Sequence, residues 1–188
     1  MPLNGGVAPP LNTGDFNTPM NGQGGILKGL EFTVSIEGSL FTPVLDGFGF
    51  MGSASTTSTT IHPSGPGSLD ALPGFSPKVH TGTFWYEKNG FSARISQRYR
   101  SEFRGEVTML FSDRSYSMIQ ADRQTDLQLG YAVQGGAAKG LSFLFQINNL
   151  NDSPYRTSLG TAFTSGALVP EIYEKYGRQY LLGVNYRL

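Results

Sequence analysis

The chain ends in the segment GRQYLLGVNYRL (177–188), in which apolar and polar residues alternate. In an extended strand, one face would hold Tyr180, Leu182, Val184, Tyr186 and Leu188. The other face would hold Gln179, Gly183, Asn185 and Arg187, joined only by Leu181. A period of two is typical of a β-strand with one apolar and one polar face. The pattern does not decide whether the apolar face contacts a packed core or lipid.

The composition of the 188 residues differs from that of an ordinary soluble domain. Charged residues make up 15% of the chain, against roughly a quarter in typical domains. The formal net charge is zero, which argues against a nucleic-acid partner. The first residues have no basic and apolar signal-peptide pattern. No stretch is apolar for about 18 residues, which excludes a transmembrane helix, although barrel strands would escape this test.

Alternation of period two predicts seven strands, and helical periodicity is nearly absent. The predicted strands cover residues 25–39, 47–59, 79–88, 91–100, 125–134, 141–149 and 177–188. Their connections alternate between short and long, and the long ones cover about 57–77, 101–123 and 150–173. Repeated long loops are uncommon in compact domains, whereas outer-membrane barrels alternate short turns with long loops. We therefore expect an all-β fold of antiparallel up-and-down strands.

Several segments together resemble the closing strands of TonB-dependent outer-membrane receptors. They are GGILKGLEF (24–32), ALPGFSPKVHTGTFWYEKNGFSARISQRYRS (71–101), LSFLFQINNLNDSPYR (141–156) and YGRQYLLGVNYRL (176–188). The resemblance implies that the chain supplies roughly the last 7 strands of a 22-stranded transmembrane β-barrel, as a partial, open barrel. Residues 1–24 would then be an extracellular loop segment, and residues 25–188 the C-terminal strands of the barrel.

The resemblance also implies a location and a set of partners. Receptors of this family take up siderophores, carbohydrates or similar scarce nutrients across the outer membrane of Gram-negative bacteria. Their barrel encloses an N-terminal plug, and the TonB–ExbB–ExbD system supplies the energy. The expected partners are outer-membrane lipid, the missing N-terminal barrel and plug, the barrel-assembly machinery and a small-molecule substrate. Because the plug, the TonB box and most strands are missing, we expect a C-terminal fragment.

The closing strand looks like the insertion signal that the barrel-assembly machinery reads in this family. The residues concerned are Tyr180, Leu182, Val184, Tyr186 and Leu188. Family members typically end in Phe, whereas this chain ends in Leu188, which is also apolar. The predicted role of the segment is assembly in the membrane.

Two groups of residues are candidates for ligand contact. The first lies in SDRSYSMIQADRQTD (112–126) and consists of Asp113, Arg114, Tyr116, Asp122 and Arg123. In an extracellular loop these side chains would bind a sugar or chelate, or they would form a solvated loop with self-compensating charges. The second group is Arg94, Arg98 and Arg100, which share the polar face of one strand. In a polar lumen they would attract an anionic ligand or pair with carboxylates of the plug.

No pattern of catalytic or cofactor chemistry stands out. The segment GFGFMG (47–52) matches G-x-G-x-x-G, but SASTTSTT follows it instead of a helix, so the dinucleotide interpretation fails. His62 and His80 lie near no carboxylate at a ligand spacing. No nucleophile has a catalytic context. We expect no enzyme activity, no cofactor and no metal site.

Two other interpretations remain open. The apolar faces would also suit the core of a soluble β-sandwich that acts as a binding or adhesion module. A weaker possibility is a passive pore formed by several chains together.

Overall fold

The computed structural model describes residues 24–62, 72–108, 114–159 and 169–187, and these residues form antiparallel β-structure. The strands are β1 (Leu27–Glu37), β2 (Phe48–Thr59), β3 (Lys78–Lys88), β4 (Phe91–Arg100), β5 (Phe103–Thr108), β6 (Arg114–Ile119), β7 (Asp122–Ala132), β8 (Leu141–Asn148), β9 (Tyr155–Leu159), β10 (Val169–Glu174) and β11 (Gln179–Tyr186). Two short 3₁₀ turns, Gly38–Leu40 and Pro43–Leu45, lie between β1 and β2.

The main sheet contains the seven strands that the sequence predicts. Its order is β1-β2-β3-β4-β7-β8-β11, and every neighbouring pair is antiparallel. Strands β1 and β11 are its two edges, so the sheet is open, and both edge strands run in the same direction. The all-β antiparallel architecture is therefore confirmed. Several boundaries differ by one or more residues, and the largest difference is at β7, which begins at Asp122 instead of Thr125.

A second sheet corrects the prediction that two of the long connections are loops. The connection 101–123 contains β5 and β6, and the connection 150–173 contains β9 and the start of β10. These strands form a four-stranded sheet in the order β10-β9-β6-β5. Each of them continues a main-sheet strand beyond a short break, and the order of the partners is the same in both sheets. The second sheet thus extends four strands of the main sheet, at the end of the sheet where the long connections lie. We call this the long-connection end.

The two sheets are in register along one pair of neighbouring strands and out of register along the next. From β4 and β7 into β5 and β6 the register is unbroken, since Phe103 is three residues after Arg100 and its partner Ile119 is three residues before Asp122. Between β7 and β8 the register moves: Leu127 pairs with Ile147, but Ile119, eight residues earlier, pairs with Thr157, ten residues later. The chain therefore makes an irregular corner after β8.

The short connection between β3 and β4 sets the pairing register at the opposite end of the main sheet. Strands β3 and β4 are joined by Asn89 and Gly90 alone, and both residues have positive φ, 52° and 81°. Asn-Gly with two positive φ angles is the favoured two-residue hairpin turn, because its twist matches that of the strands. It fixes the pairing of Lys88 with Phe91.

Among the described residues, no apolar side chain is buried. The buried polar residues are Arg104, Ser117, Asn149, Thr157 and Ser158. The described residues thus form broad hydrogen-bonded sheets without a packed apolar core among themselves, and they leave an apolar surface uncovered.

Candidate functional site

One face of the main sheet is apolar across all seven strands. Residues directly opposite each other in a sheet point to the same side. The cross-strand register connects a complete row made of Ile36, Phe50, Phe84, Ile95, Leu127, Ile147 and Tyr180. A second row on the same face connects Phe48, Tyr86, Ala93, Leu129, Phe145 and Leu182. We call this continuous surface the apolar band.

The apolar band crosses the strands at a slant. Ile36 is the last of the alternating apolar residues of β1, which begin at Leu30, whereas Tyr180 in the same row is the first of those of β11, which end at Tyr186. From β1 to β11 the band therefore shifts by six residues along the strand direction. Seven strands are separated by six steps, so the shift is one residue per step. A residue spans about 3.4 Å along a strand, and neighbouring strands lie about 4.8 Å apart. For the band to run perpendicular to a common axis, the strands must therefore tilt by about 35° from that axis.

Aromatic side chains gather toward both ends of the apolar band. Near the short connections, Tyr86 contacts Phe48 and Phe91, with ring centroids 4.5 Å and 6.1 Å apart. Toward the long connections, Tyr99 stacks on His80 at 5.6 Å, and the Arg123 guanidinium lies 5.6 Å from the Tyr99 ring centroid. These side chains combine an apolar ring with a polar group where the apolar band ends.

The opposite face of the main sheet is polar and carries the predicted arginines. Its cross-strand partners include hydroxyl pairs: Ser53 and Thr81 are 2.7 Å apart at their oxygens, and Thr83 and Ser96 are 3.0 Å apart. The chain's one tryptophan, Trp85, lies on this face opposite Arg94. Its indole covers Gly49, where an added Cβ would come within 2.2 Å of the ring.

The side chains of Arg94, Arg98 and Arg100 lie on this polar face of β4. Arg94 and Arg98 are exposed and Arg100 is half-buried. Arg98 Nη2 donates a hydrogen bond to Gln124 Oε1 at 2.6 Å, and the Arg100 guanidinium lies 4.7 Å from the Phe103 ring centroid. The structure thus brings the three predicted arginines into one strip on the polar face.

Of the candidate ligand-contact residues in 112–126, the structure describes the side chains of Asp122 and Arg123, and these two lie on opposite faces of the main sheet. Asp113 lies outside the described residues. Arg114 and Tyr116 are in β6, and the structure describes their backbone but not their side chains. Asp122 and Arg123 begin β7, where successive residues point to opposite faces. Asp122 therefore shares the polar face with Arg100, while Arg123 lies on the apolar face beside Tyr99. A ligand role for these residues stays a prediction.

The predicted assembly residues share the apolar face of β11. Tyr180, Leu182, Val184 and Tyr186 pair with apolar residues of β8, whereas Leu188 lies outside the described residues. Leu182 is 86% exposed, and Leu181 points to the polar face opposite Gln146. Recognition by assembly machinery stays a prediction.

A polar corner after β8, residues 149–153, has no counterpart in the sequence-based prediction. Asn149 has φ of 55° and is 7% exposed. Its side chain accepts a hydrogen bond from Ser153 N at 2.8 Å and donates to the carbonyl oxygens of Ser153 and Gly177, both at 3.1 Å. Its backbone N–H donates to Asp126 Oδ1 at 2.9 Å. The only signal in the sequence is the run of turn-forming residues NNLNDSP (148–154).

Two groups beside the corner have shifted pKa values. Lys175 Nζ lies 2.7 Å from Asp152 Oδ2, and the hydrogen bond and charge of Asp152 raise the pKa of Lys175. Tyr176 donates a hydrogen bond to Glu174, which raises the pKa of the Tyr176 hydroxyl. Both groups are exposed, so neither contact contributes much to stability. The Lys175–Asp152 pair ties the connection before β11 to the corner, whereas Tyr176 and Glu174 are two residues apart within the same segment.

The described part of the chain offers no group of metal-ligating side chains, and none of its helices is long and apolar enough to cross a membrane. Comparison with protein-family models, curated proteins and solved structures found no match for the chain.

Proposed function

We propose that the chain forms part of the wall of a TonB-dependent receptor in the outer membrane of a Gram-negative bacterium. In this proposal the apolar band contacts lipid and the polar face lines the lumen. The protein imports a scarce nutrient, such as a siderophore or carbohydrate, and carries out no chemistry. The remaining barrel strands, a plug and the TonB–ExbB–ExbD system complete the transporter, and the barrel-assembly machinery inserts it.

The slant of the apolar band is the observation that carries this proposal. A band of one residue per strand becomes level when the strands tilt by about 35°. Strands of outer-membrane barrels tilt by about 35–45° and carry such an outward-facing apolar band. The aromatic side chains toward both ends of the band match the girdles at the two membrane interfaces.

A soluble β-sandwich is the weaker explanation. A sandwich stacks two sheets over interdigitating apolar side chains about 10 Å apart. No apolar side chain in the described ranges is buried, and the second sheet continues the strands of the first. The apolar band therefore lacks the protein partner that a sandwich would supply.

Lipid contact is tested by placing a charge on either side of β11. We expect Leu182→Arg to weaken refolding of the full chain into phosphatidylcholine vesicles by about 2–4 kcal/mol, the cost of arginine at the lipid face. Leu181→Arg is the matched control, since the neighbouring residue points to the polar face. Its expected effect is below about 1 kcal/mol. Urea titration of vesicle-bound chain measures both.

Equal effects of the two substitutions would contradict the proposed orientation. Recovery of the wild-type chain as a water-soluble, cooperatively unfolding monomer in the absence of lipid would contradict membrane insertion itself, because a lipid-facing band has no reason to be stable in water.

A further inference from the structure

The three arginines of β4 have uncharged cross-strand neighbours, with a single carboxylate, Asp122, directly opposite. Across the sheet, Arg94 lies between Trp85 and Gln128, and Arg98 lies between Thr81 and Gln124. Arg100 lies between Val79 and Asp122. We call Arg94, Arg98 and Arg100 the arginine strip.

Within the described residues, no carboxylate forms an ion pair with the arginine strip; the pairs present are Lys88–Asp46 and Lys175–Asp152. Arg94 makes no hydrogen bond there, and Arg98 bonds only to a neutral amide. Among the described residues, the Nε atom of Arg100 is buried and has no hydrogen-bond partner. A buried guanidinium N–H without an acceptor costs about 1–3 kcal/mol or more, so the described residues leave Arg100 incompletely satisfied.

The two carboxylates of β7 each accept a hydrogen bond from the corner 149–153. Asp122 Oδ1 accepts a hydrogen bond from Ser153 Oγ at 2.9 Å. Asp126 Oδ1 accepts one from Asn149 N at 2.9 Å. Both acids of β7 are thus used to hold the corner 149–153. Arg98 and Arg100 meanwhile follow each other on one face, about 7 Å apart along the strand, where their like charges repel.

We propose that the arginine strip binds an anionic solute: a small molecule with two or more carboxylate or phosphate groups. Guanidinium groups bind such oxygens in bidentate pairs, and charge-assisted pairs are about twice as strong as neutral hydrogen bonds. Adjacent groups of one solute bridge Arg98 and Arg100 and relieve the repulsion between the two cations. The transport role of this binding rests on the proposed function, whereas the binding itself does not.

Trp85 provides a direct readout of binding at the arginine strip. It is the one tryptophan of the chain and the cross-strand partner of Arg94. We expect its emission to change saturably when the full chain, refolded in detergent micelles, is titrated with tricarballylate, a tricarboxylate. Inorganic phosphate should bind more weakly, because one group reaches one guanidinium at a time. Sucrose, as a neutral polyol, should produce no saturable change.

The double variant Arg98→Gln, Arg100→Gln should weaken tricarballylate binding by at least about tenfold, as expected for the loss of charge-assisted pairs. Lys139→Gln is the charge control, since it removes a positive charge from an exposed residue of the short connection between β7 and β8. Its affinity should stay within about twofold. Replacement of Arg98 and Arg100 by Lys keeps the charge and should retain part of the affinity, which separates charge from folding defects.

Three results would overturn the inference. They are no saturable emission change up to about 10 mM tricarballylate, equal losses in Lys139→Gln and the double variant, or equal binding of sucrose. Binding of an oligoglutamate peptide without binding of tricarballylate would assign the arginine strip to a protein segment. If the Leu181 and Leu182 variants fail to differ but tricarballylate still binds, the membrane proposal fails and the anion site remains.

Discussion

Asn149 shows how much of this sheet depends on one residue. It stands where β8 ends and takes a left-handed backbone conformation, which Asn tolerates better than most residues. Both ends of its amide are used, and its backbone N–H binds Asp126. The residue therefore satisfies polar groups of three segments at the place where the main sheet gives way to the second sheet.

We expect Asn149→Ala to lower the free energy of unfolding by about 2–4 kcal/mol, because three side-chain hydrogen bonds and a tolerated left-handed conformation are lost together. Asn89→Ala is the matched control: Asn89 has φ of 52° and is exposed, and its side chain makes no hydrogen bond within the described residues. Urea unfolding in micelles measures both. Equal losses would mean that backbone strain alone explains the effect.

At the scale of elements, the turns differ in how closely they meet their neighbours. Gly90 and Gly136 both have positive φ, 81° and 77°. A Cβ on Gly90 would lie 2.2 Å from the carbonyl oxygen of Ala132, whereas a Cβ on Gly136 would meet nothing within 4 Å. The first turn is therefore wedged against β7, and the second is open.

These two glycines give a comparison in which only the clash differs. Gly136→Ala should cost about 1–2 kcal/mol, the strain of a left-handed alanine. Gly90→Ala should cost at least about 1–3 kcal/mol more, since backbone atoms of two strands must move apart. Urea midpoints of the two variants in micelles provide the measurement. A cost of Gly90→Ala no larger than that of Gly136→Ala would show that the hairpin end is not packed against β7.

The elements that were predictable and those that were not differ in their surroundings. Strands β1, β4 and β8 alternate apolar and polar residues because one face of the main sheet is apolar, and this produces the period of two. Strands β5, β6, β9 and β10 lie beyond the apolar band, and their buried residues include Arg104, Ser117 and Thr157. Alternation is confined to six residues in β5 (FRGEVT), and it is absent from β10 (VPEIYE). The start of β7, DRQ (122–124), was missed because it carries no alternating apolar residues.

The predictability of the candidate site follows the same division. The arginines of the strip lie on one strand, and so do the apolar residues of β11. Alternate residues of a strand share a face, so the sequence alone predicts both groups. The opposite faces of Asp122 and Arg123 follow from parity once β7 is known to begin at Asp122. The corner at Asn149 and the engagement of Asp126 depend on pairing between distant segments. Single-sequence patterns do not contain that information.

For the whole molecule, the open edges set the distribution of stability. Strands β4 and β7 are hydrogen-bonded on both sides, whereas β1 and β11 have one partner each. We expect backbone amides of β1 and β11 to exchange at least about tenfold faster than those of β4 and β7, since edge strands open by local fluctuation. Hydrogen exchange with mass spectrometry of the chain in micelles measures this. Equal protection of β11 and β7 would contradict a free edge, and dilution would tell whether a second copy covers it.

The arginine strip has a further consequence for the barrel wall that we propose this chain to form part of. From Arg94 to Arg100 the fixed charges extend about 20 Å along β4, a large fraction of the roughly 30 Å hydrocarbon thickness. Arg94 lies level with the apolar band, while Arg100 lies toward the long-connection end. In a water-filled conduit, such a row of cations raises the local anion concentration and lowers the barrier for anions relative to cations. The permeation selectivity of a wide pore would then be set largely by a single strand of its wall.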